Sequence, residues 1–229
     1  MTEIEWRIKP LLEDWADVAT FDAPGAGGEP APTTASLSAV SERGLEQIDN
    51  RGWRRCVIAG DEYGAYTAIH LAAAHPERVA GLALGHACLS FALDGPRAPM
   101  NADVMMLFVN LADVDYRTYV RHLTQLTQDA YDDELADEYM ERVPQATTLA
   151  YLLKLAEVSG EDLGPLLRNL GRPLLLAKHD GCLGWTDEGF EDAVAALPGA
   201  TTISMKVKPS ASPEFAEALR DFCESLEWE

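Results

Sequence analysis

The chain has 229 residues, 47% of them hydrophobic and 24% charged, an ordinary composition for a globular protein with one well-buried core. Acidic side chains outnumber basic ones 38 to 18, and the formal net charge of -20 repels phosphate backbones and anionic bilayers, which argues against nucleic acid or a membrane as partner. The longest apolar run, around Val104 to Leu111, is too short to span a bilayer. Met1 to Glu5 lacks the basic start and apolar core of a signal peptide, so the expected location is cytoplasmic.

In chain order, Val18 to Phe21 reads as a short strand that ends in the flexible turn Asp22 to Gly28. An amphipathic helix follows over Ser36 to Asn50, then a buried strand over Arg55 to Gly60 and a helix over Gly64 to His75. Val79 to Gly85 is the next strand. From Ala87 to about Gly171 the pattern is helical throughout, with segments at Asn101 to Leu111, Tyr116 to Gln128, Asp132 to Arg142 and Ala146 to Glu157. Arg172 to Ala177 and Thr201 to Val207 are further strands, and Ser212-Pro213-Glu214 opens a final helix with a capping serine. Strands alternating with helices predict a mostly parallel sheet. Residues 1–87 and 172–229 would form its core and 88–171 a helical lid insertion.

The segment Gly60-Asp61-Glu62-Tyr63-Gly64 turns a strand into a helix through Gly-x-Glu-x-Gly, with small residues where a sharp turn would crowd a side chain. Phe21 to Gly27 carries a "D-x-x-G-x-G" pattern, and His75-Pro76-Glu77-Arg78-Val79 reads "HPERV". Lys178-His179-Asp180 is followed by Ala196-Leu197-Pro198-Gly199-Ala200. Together these segments resemble the α/β-hydrolase superfamily from about Trp6 to Phe222. The resemblance implies an α/β-hydrolase-like sheet, with Glu62 at the nucleophile position and Asp180 at the acid position.

Three departures concern catalysis. Glu62 stands where the family usually has Ser, and it is one methylene longer than the Asp that dehalogenases and epoxide hydrolases of this fold use. The histidines are His70, His75, His86, His122 and His179, so none follows Asp180, where the triad base belongs. The stretch Trp6 to Trp15 resembles the helix after the oxyanion loop, so the strand and loop before it are missing, and only the Tyr63 amide of the hole is expected. Thr2 to Ile8 alternates and could supply a short replacement strand. Otherwise the sheet, abbreviated at its N-terminal side, leaves room for a second copy or a partner chain.

Glu62 carries two readings of equal weight. A carboxyl under a lid is suited to general acid or base work near neutral pH; alternatively, a lost nucleophile now pairs with Lys206 or Lys208. His86, at the carboxyl end of a strand, and Asp180 would assist, although a backbone-bonded loop histidine and a helix cap are the blander roles. Tyr63 would contact substrate or pack on the lid. Met105 and Phe108 would give the lid an apolar face for a bulky ligand, or simply belong to the core. The acidic run from Asp129 to Glu138 lacks calcium-loop spacing and reads as a solvated helix face, and Cys56 reads as a small core residue. No metal and no cofactor are implied. The leading expectation is a non-hydrolytic enzyme performing cyclisation, elimination or isomerisation on a small, largely apolar molecule with Glu62 as proton-transfer group. A catalytically silent pseudo-hydrolase that binds a ligand or partner chain comes second, and a hydrolase with Glu62 as nucleophile last.

Overall fold

Three largely apolar runs and a fourth, more polar edge segment form one parallel sheet, each flanked by turn residues and followed by a helix long enough to cross back over the sheet. In the computed structural model, which describes residues 8–21, 37–85, 102–128, 133–158, 163–180, 187–206 and 212–228, these are β1 (Cys56–Asp61), β2 (Val79–Gly85), β3 (Leu174–His179) and β4 (Thr201–Met205). They lie in the order β1-β2-β3-β4 and every pairing is parallel. Gly85 is level with Asp61 on one side and with Ala177 on the other, and Ala177 is level with Ile203, so the carboxyl ends of the strands share one rim.

Alternate residues of the sheet feed two clusters, as the two-residue period of a strand requires. On one face Leu82, Leu84, Leu174 and Leu176 meet α2 (Leu37–Asn50), α3 (Tyr63–Ala74), α8 (Gly164–Leu170) and α9 (Asp187–Ala196). On the other, Ala83, Leu175 and Ala177 meet α1 (Lys9–Leu12) and α10 (Pro213–Ser225). β2 is buried along its whole length and built from small residues, which lets helices sit close. At Gly81 an added Cβ would stand 2.9 Å from the Phe222 ring, so that glycine is the seat of α10. Ser212 caps α10 by accepting the Phe215 amide at 3.4 Å, as its sequence position predicts.

Between β2 and β3 lie α4 (Ala102–Val114), α5 (Tyr116–Gln128), α6 (Asp133–Arg142), α7 (Gln145–Val158) and α8. α4 packs on α5 and α7, while α7 and α8 both reach α3. Side chains tie the start of α7 to its neighbours. Gln145 Nε2 donates to the carbonyls of Ala112 and Asp113 at 2.8 and 2.7 Å. The Tyr116 hydroxyl lies 2.7 Å from the Val143 carbonyl, to which it donates, and 2.9 Å from Thr148 Oγ1. The predicted acidic face is partly paired. Asp133 and Asp137 of α6 meet Arg121 and Arg117 of α5 at 3.1 and 2.8 Å, and Glu138 meets Arg142.

One expected strand is not formed. Residues 17–21 run without regular structure, and the side chains are divided: Val18 joins the α1–α10 cluster while Phe21 packs on Gly44 of α2. Among the described residues β1 pairs only with β2, so this stretch does not join the free edge of β1 and serves as packing anchors instead. The expected alternation over Thr2 to Ile8 lies outside the described residues except for Ile8, which is buried.

Cys56 and Cys223 are free thiols, and burial pushes both up to about 11. At pH 8 their thiolate fraction is therefore on the order of one in a thousand. Peptide mapping after native iodoacetamide treatment at pH 8 should find both unmodified, and both should react once the protein is unfolded.

Candidate functional site

The sharpest backbone constraint in the described chain lies where β1 becomes α3. Glu62 adopts φ 49 and ψ -117, the one described non-glycine residue with positive φ. A bulky residue held there costs roughly 1–3 kcal/mol unless its surroundings enforce it. The surroundings are explicit: the Glu62 amide donates to the Gly85 carbonyl of β2 at 3.1 Å, and its carbonyl accepts the Ala65 amide at 3.0 Å. The two glycines flanking Glu62 are not equivalent. A Cβ on Gly60 would stand 2.3 Å from the Gly64 carbonyl oxygen, whereas one on Gly64 would meet nothing within 4 Å. The turn thus requires a glycine before Glu62 and only tolerates the one after it.

This geometry presents the half-buried Glu62 side chain at the carboxyl rim of the sheet and at the N-terminal end of α3, which favours negative charge. There the Tyr151 hydroxyl of α7 donates to Glu62 Oε2 in a short hydrogen bond. Burial first, then the charge of Glu62 and the bond to it, with Asp61 adding to them, hold the Tyr151 phenol well above the ordinary tyrosine range. The proton stays on tyrosine, so Tyr151 is the donor. The Tyr151 ring also meets Tyr63 edge-on, with centroids 6.3 Å apart and planes at 79°. Thr148 and Leu152, three residues before and one after Tyr151, are buried, which places Tyr151 on the inward face of α7. The bonds made by Gln145 and Tyr116 at the start of that helix therefore also position Tyr151.

Of the residues singled out in the sequence, Glu62 and Tyr63 come together at this turn. Tyr63 is buried at the first position of α3 and its carbonyl accepts from Thr67 Oγ1. Asp180 follows β3, is exposed, and donates its amide to the Met205 carbonyl at 3.0 Å. Two strand spacings put its backbone about 10 Å across the sheet from Glu62. Lys206 is exposed just past β4, about 14 Å across the sheet by the same spacing. Phe108 packs edge-on against Tyr119 at 6.2 Å, part of the helical core between β2 and β3. Met105 lies in α4, but its side chain, together with His86 and Lys208, is outside the described residues. His179 is buried at the end of β3, His75 lies 3.8 Å from Glu42, and His122 is exposed.

Tyr151 is the residue that sequence reasoning passed over. Its signal is modest: a tyrosine among Leu149, Leu152 and Leu153 on a helix has an apolar body to bury and a hydroxyl that needs a partner. Asp61, next to Glu62 at the end of β1, was likewise not singled out, yet its charge bears on the same phenol. Among the described residues no group of three or more ligating side chains could hold a metal ion, and no helix is long and apolar enough to cross a membrane.

No protein-family model matches the chain. It is 31% identical over 175 residues to a bifunctional biotin biosynthesis protein of Cellvibrio japonicus, and 37% identical over 101 residues to a lipase of Mycobacterium tuberculosis. These matches take in 74% and 43% of this chain but only 34% and 35% of the relatives, so the chain spans about a third of the length of the curated proteins it matches. Among solved structures it is similar to a bromoperoxidase from Bacillus anthracis, with a TM-score of 0.78, 15% identity and coverage of 97% of this chain and 87% of that one. A hydrolase from Oleispira antarctica superposes with a TM-score of 0.77 at 15% identity, covering 97% and 86%. An enol-lactonase from Burkholderia xenovorans gives 0.68 at 19%, covering 89% and 79%. The shared property is the fold: the chain has the α/β-hydrolase architecture, abbreviated to four parallel strands among the described residues.

Two outcomes test this site. Gly60→Ala should cost about 3 kcal/mol or more in urea unfolding, because backbone atoms block the new Cβ, while Gly64→Ala should stay within about 1 kcal/mol of the parent. The raised phenol gives a sign for pH: unfolded tyrosine ionises near its ordinary value while Tyr151 does not, so stability is full below that value and falls as pH rises above it. Tyr151→Phe should make the alkaline decline shallower by up to about 1.4 kcal/mol per pH unit, measured by urea unfolding between pH 9 and 11.

Proposed function

We propose that the protein is a non-hydrolytic enzyme of the α/β-hydrolase fold that performs acid/base chemistry on a small, largely apolar organic molecule. The observation that supports this reading is the Tyr151 hydroxyl donating to Glu62 at a strained turn, which pairs a carboxylate with a phenol under a helical lid. In the proposed cycle the substrate displaces the phenol from Glu62. The carboxylate then takes a proton from a substrate carbon or hydroxyl, and Tyr151 donates a hydrogen bond to the substrate oxygen on which charge builds. Return of that proton to a second atom completes an isomerisation or cyclisation, and departure of a leaving group with the proton completes an elimination. Asp180 and His86 would supply further polar contacts at the rim, Tyr63 would border the reacting group, and Met105 and Phe108 would contribute the apolar wall.

The absence of a histidine after Asp180 in the sequence supports a mechanism without an acyl or ester intermediate, because such an intermediate needs a base to discharge it. Two further readings have support. A catalytically silent protein that binds a ligand or partner chain fits a carboxylate already occupied by a tyrosine. Hydrolysis with Glu62 as nucleophile draws on the names of the proteins the chain resembles, a lipase, a hydrolase and an enol-lactonase among them.

The deciding experiment incubates the protein with a mixture of small hydroxy and carbonyl compounds in heavy-oxygen water and follows products by mass. The proposal expects a product isomeric with its substrate, or smaller by a neutral leaving group, free of solvent oxygen. Glu62→Gln should slow its formation by about 10²–10⁴-fold. Heavy oxygen in the product would favour the hydrolase reading. Turnover that Glu62→Gln leaves unchanged would end the assignment of Glu62.

A further inference from the structure

At the opposite end of the sheet, about 23 Å from Glu62 along β1, a cleft of about 450 Å³ is lined by Arg54, Arg55, Glu77 and Arg78. Arg78 forms its frame. Its guanidinium donates to the carbonyls of Arg54 and Trp53 at 3.1 and 2.9 Å and pairs with Asp49 at 2.7 Å. The other two arginines are differently placed. Arg54 is exposed and makes no ion pair among the described residues, and Arg55 reaches only the Val79 carbonyl, at 3.4 Å. The Nε of Arg55 is buried without a hydrogen-bond partner among the described residues. Leaving such a donor unsatisfied is unfavourable.

In a chain with 38 acidic and 18 basic residues, carboxylates are abundant. Arg43, Arg51, Arg78, Arg117, Arg121 and Arg142 have acidic partners, whereas Arg168, Arg172 and Arg220, like Arg54 and Arg55, have none among the described residues; of these five, Arg54 and Arg55 line one cleft together. Glu77 borders the cleft, yet the partner it has is His75, at 4.0 Å. Two adjacent guanidinium groups kept without an acid leave a local positive spot on a strongly negative molecule. Planar, multiply donating guanidinium groups match the oxygens of a tetrahedral anion.

We propose that this cleft is a binding site for a compact dianion, a phosphate or phosphate monoester, held by Arg54 and Arg55 on the frame that Arg78 provides. The net charge, which excludes long polyanions, sets no bar to a single small one inside a positive cleft. The half-buried Arg55 and the exposed Arg54 supply the guanidinium donors to the anion's oxygens. The site lies away from the carboxyl rim and does not depend on the role of Glu62.

Isothermal titration calorimetry at constant ionic strength tests it, with inorganic phosphate, glycerol phosphate and acetate as probes and chloride as the balancing anion. The proposal expects saturable binding of phosphate or glycerol phosphate and none of acetate. Tighter binding of glycerol phosphate would identify the ester as the better ligand, and tighter binding of phosphate the free anion. Arg54→Ala, at an exposed side chain whose loss leaves the fold intact, should weaken binding at least tenfold, as should Arg55→Gln. Glu62→Gln should bind like the parent. Absence of saturable binding by both dianions, or binding that survives the double substitution Arg54→Ala with Arg55→Gln, would overturn the proposal.

Discussion

The arrangement around Glu62 follows from one crowded turn. β1 and α3 can meet only because Gly60 has no side chain to strike the Gly64 carbonyl, and because the edge of β2 holds the Glu62 amide in place. The backbone there adopts a conformation that glutamate resists, and it is the packed strand on one side and the helix on the other that enforce it. A residue so constrained has little freedom of direction. Its carboxylate points at the rim where α7 arrives, and the tyrosine that meets it there is placed by hydrogen bonds made two turns earlier in that helix.

The sheet was legible because its strands are short apolar runs whose neighbours are punctuated by glycine, proline and charge. β2 could be read to the residue, and β1, β3 and β4 to within one or two. The turn at Glu62 was legible for a different reason: glycine spacing reports a steric requirement directly. Even so, the sequence suggested that both glycines are needed, and the coordinates assign the requirement to Gly60 alone. Val18 to Phe21 was misread because apolar composition indicates burial, whereas strand formation also needs a neighbouring ladder. Tyr151 was invisible because its partner lies 89 positions away, and no local pattern encodes a contact between a helix in one segment and a turn in another.

Fold and chemistry separate cleanly in this chain. The architecture is shared with a hydrolase, a bromoperoxidase and an enol-lactonase at low identity, so the sheet and helices say little about the reaction. What this structure shows at the turn is the pairing of a carboxylate with a phenol. One of the helices between β2 and β3 delivers half of that pair. The acidic surface is organised as well: much of its charge on α6 is matched against arginines of α5, while the cleft at the far end of β1 keeps two arginines apart from that network.

The seating of Phe222 against Gly81 has a consequence for how the chain is made. β2 is an inner strand, and its glycine face is covered by a helix encoded far downstream, while its other ladder partner, β3, follows only after the whole helical segment. On a ribosome, β1, β2 and α3 emerge early with one flank of the sheet bare and its hydrogen-bonding edge open. They stay so until most of the remaining chain has been synthesised. Non-local parallel pairing of this kind is slow to form and prone to association while incomplete. The interval between translation of Gly81 and of Phe222 is thus the period in which that apolar flank stays without its covering helix.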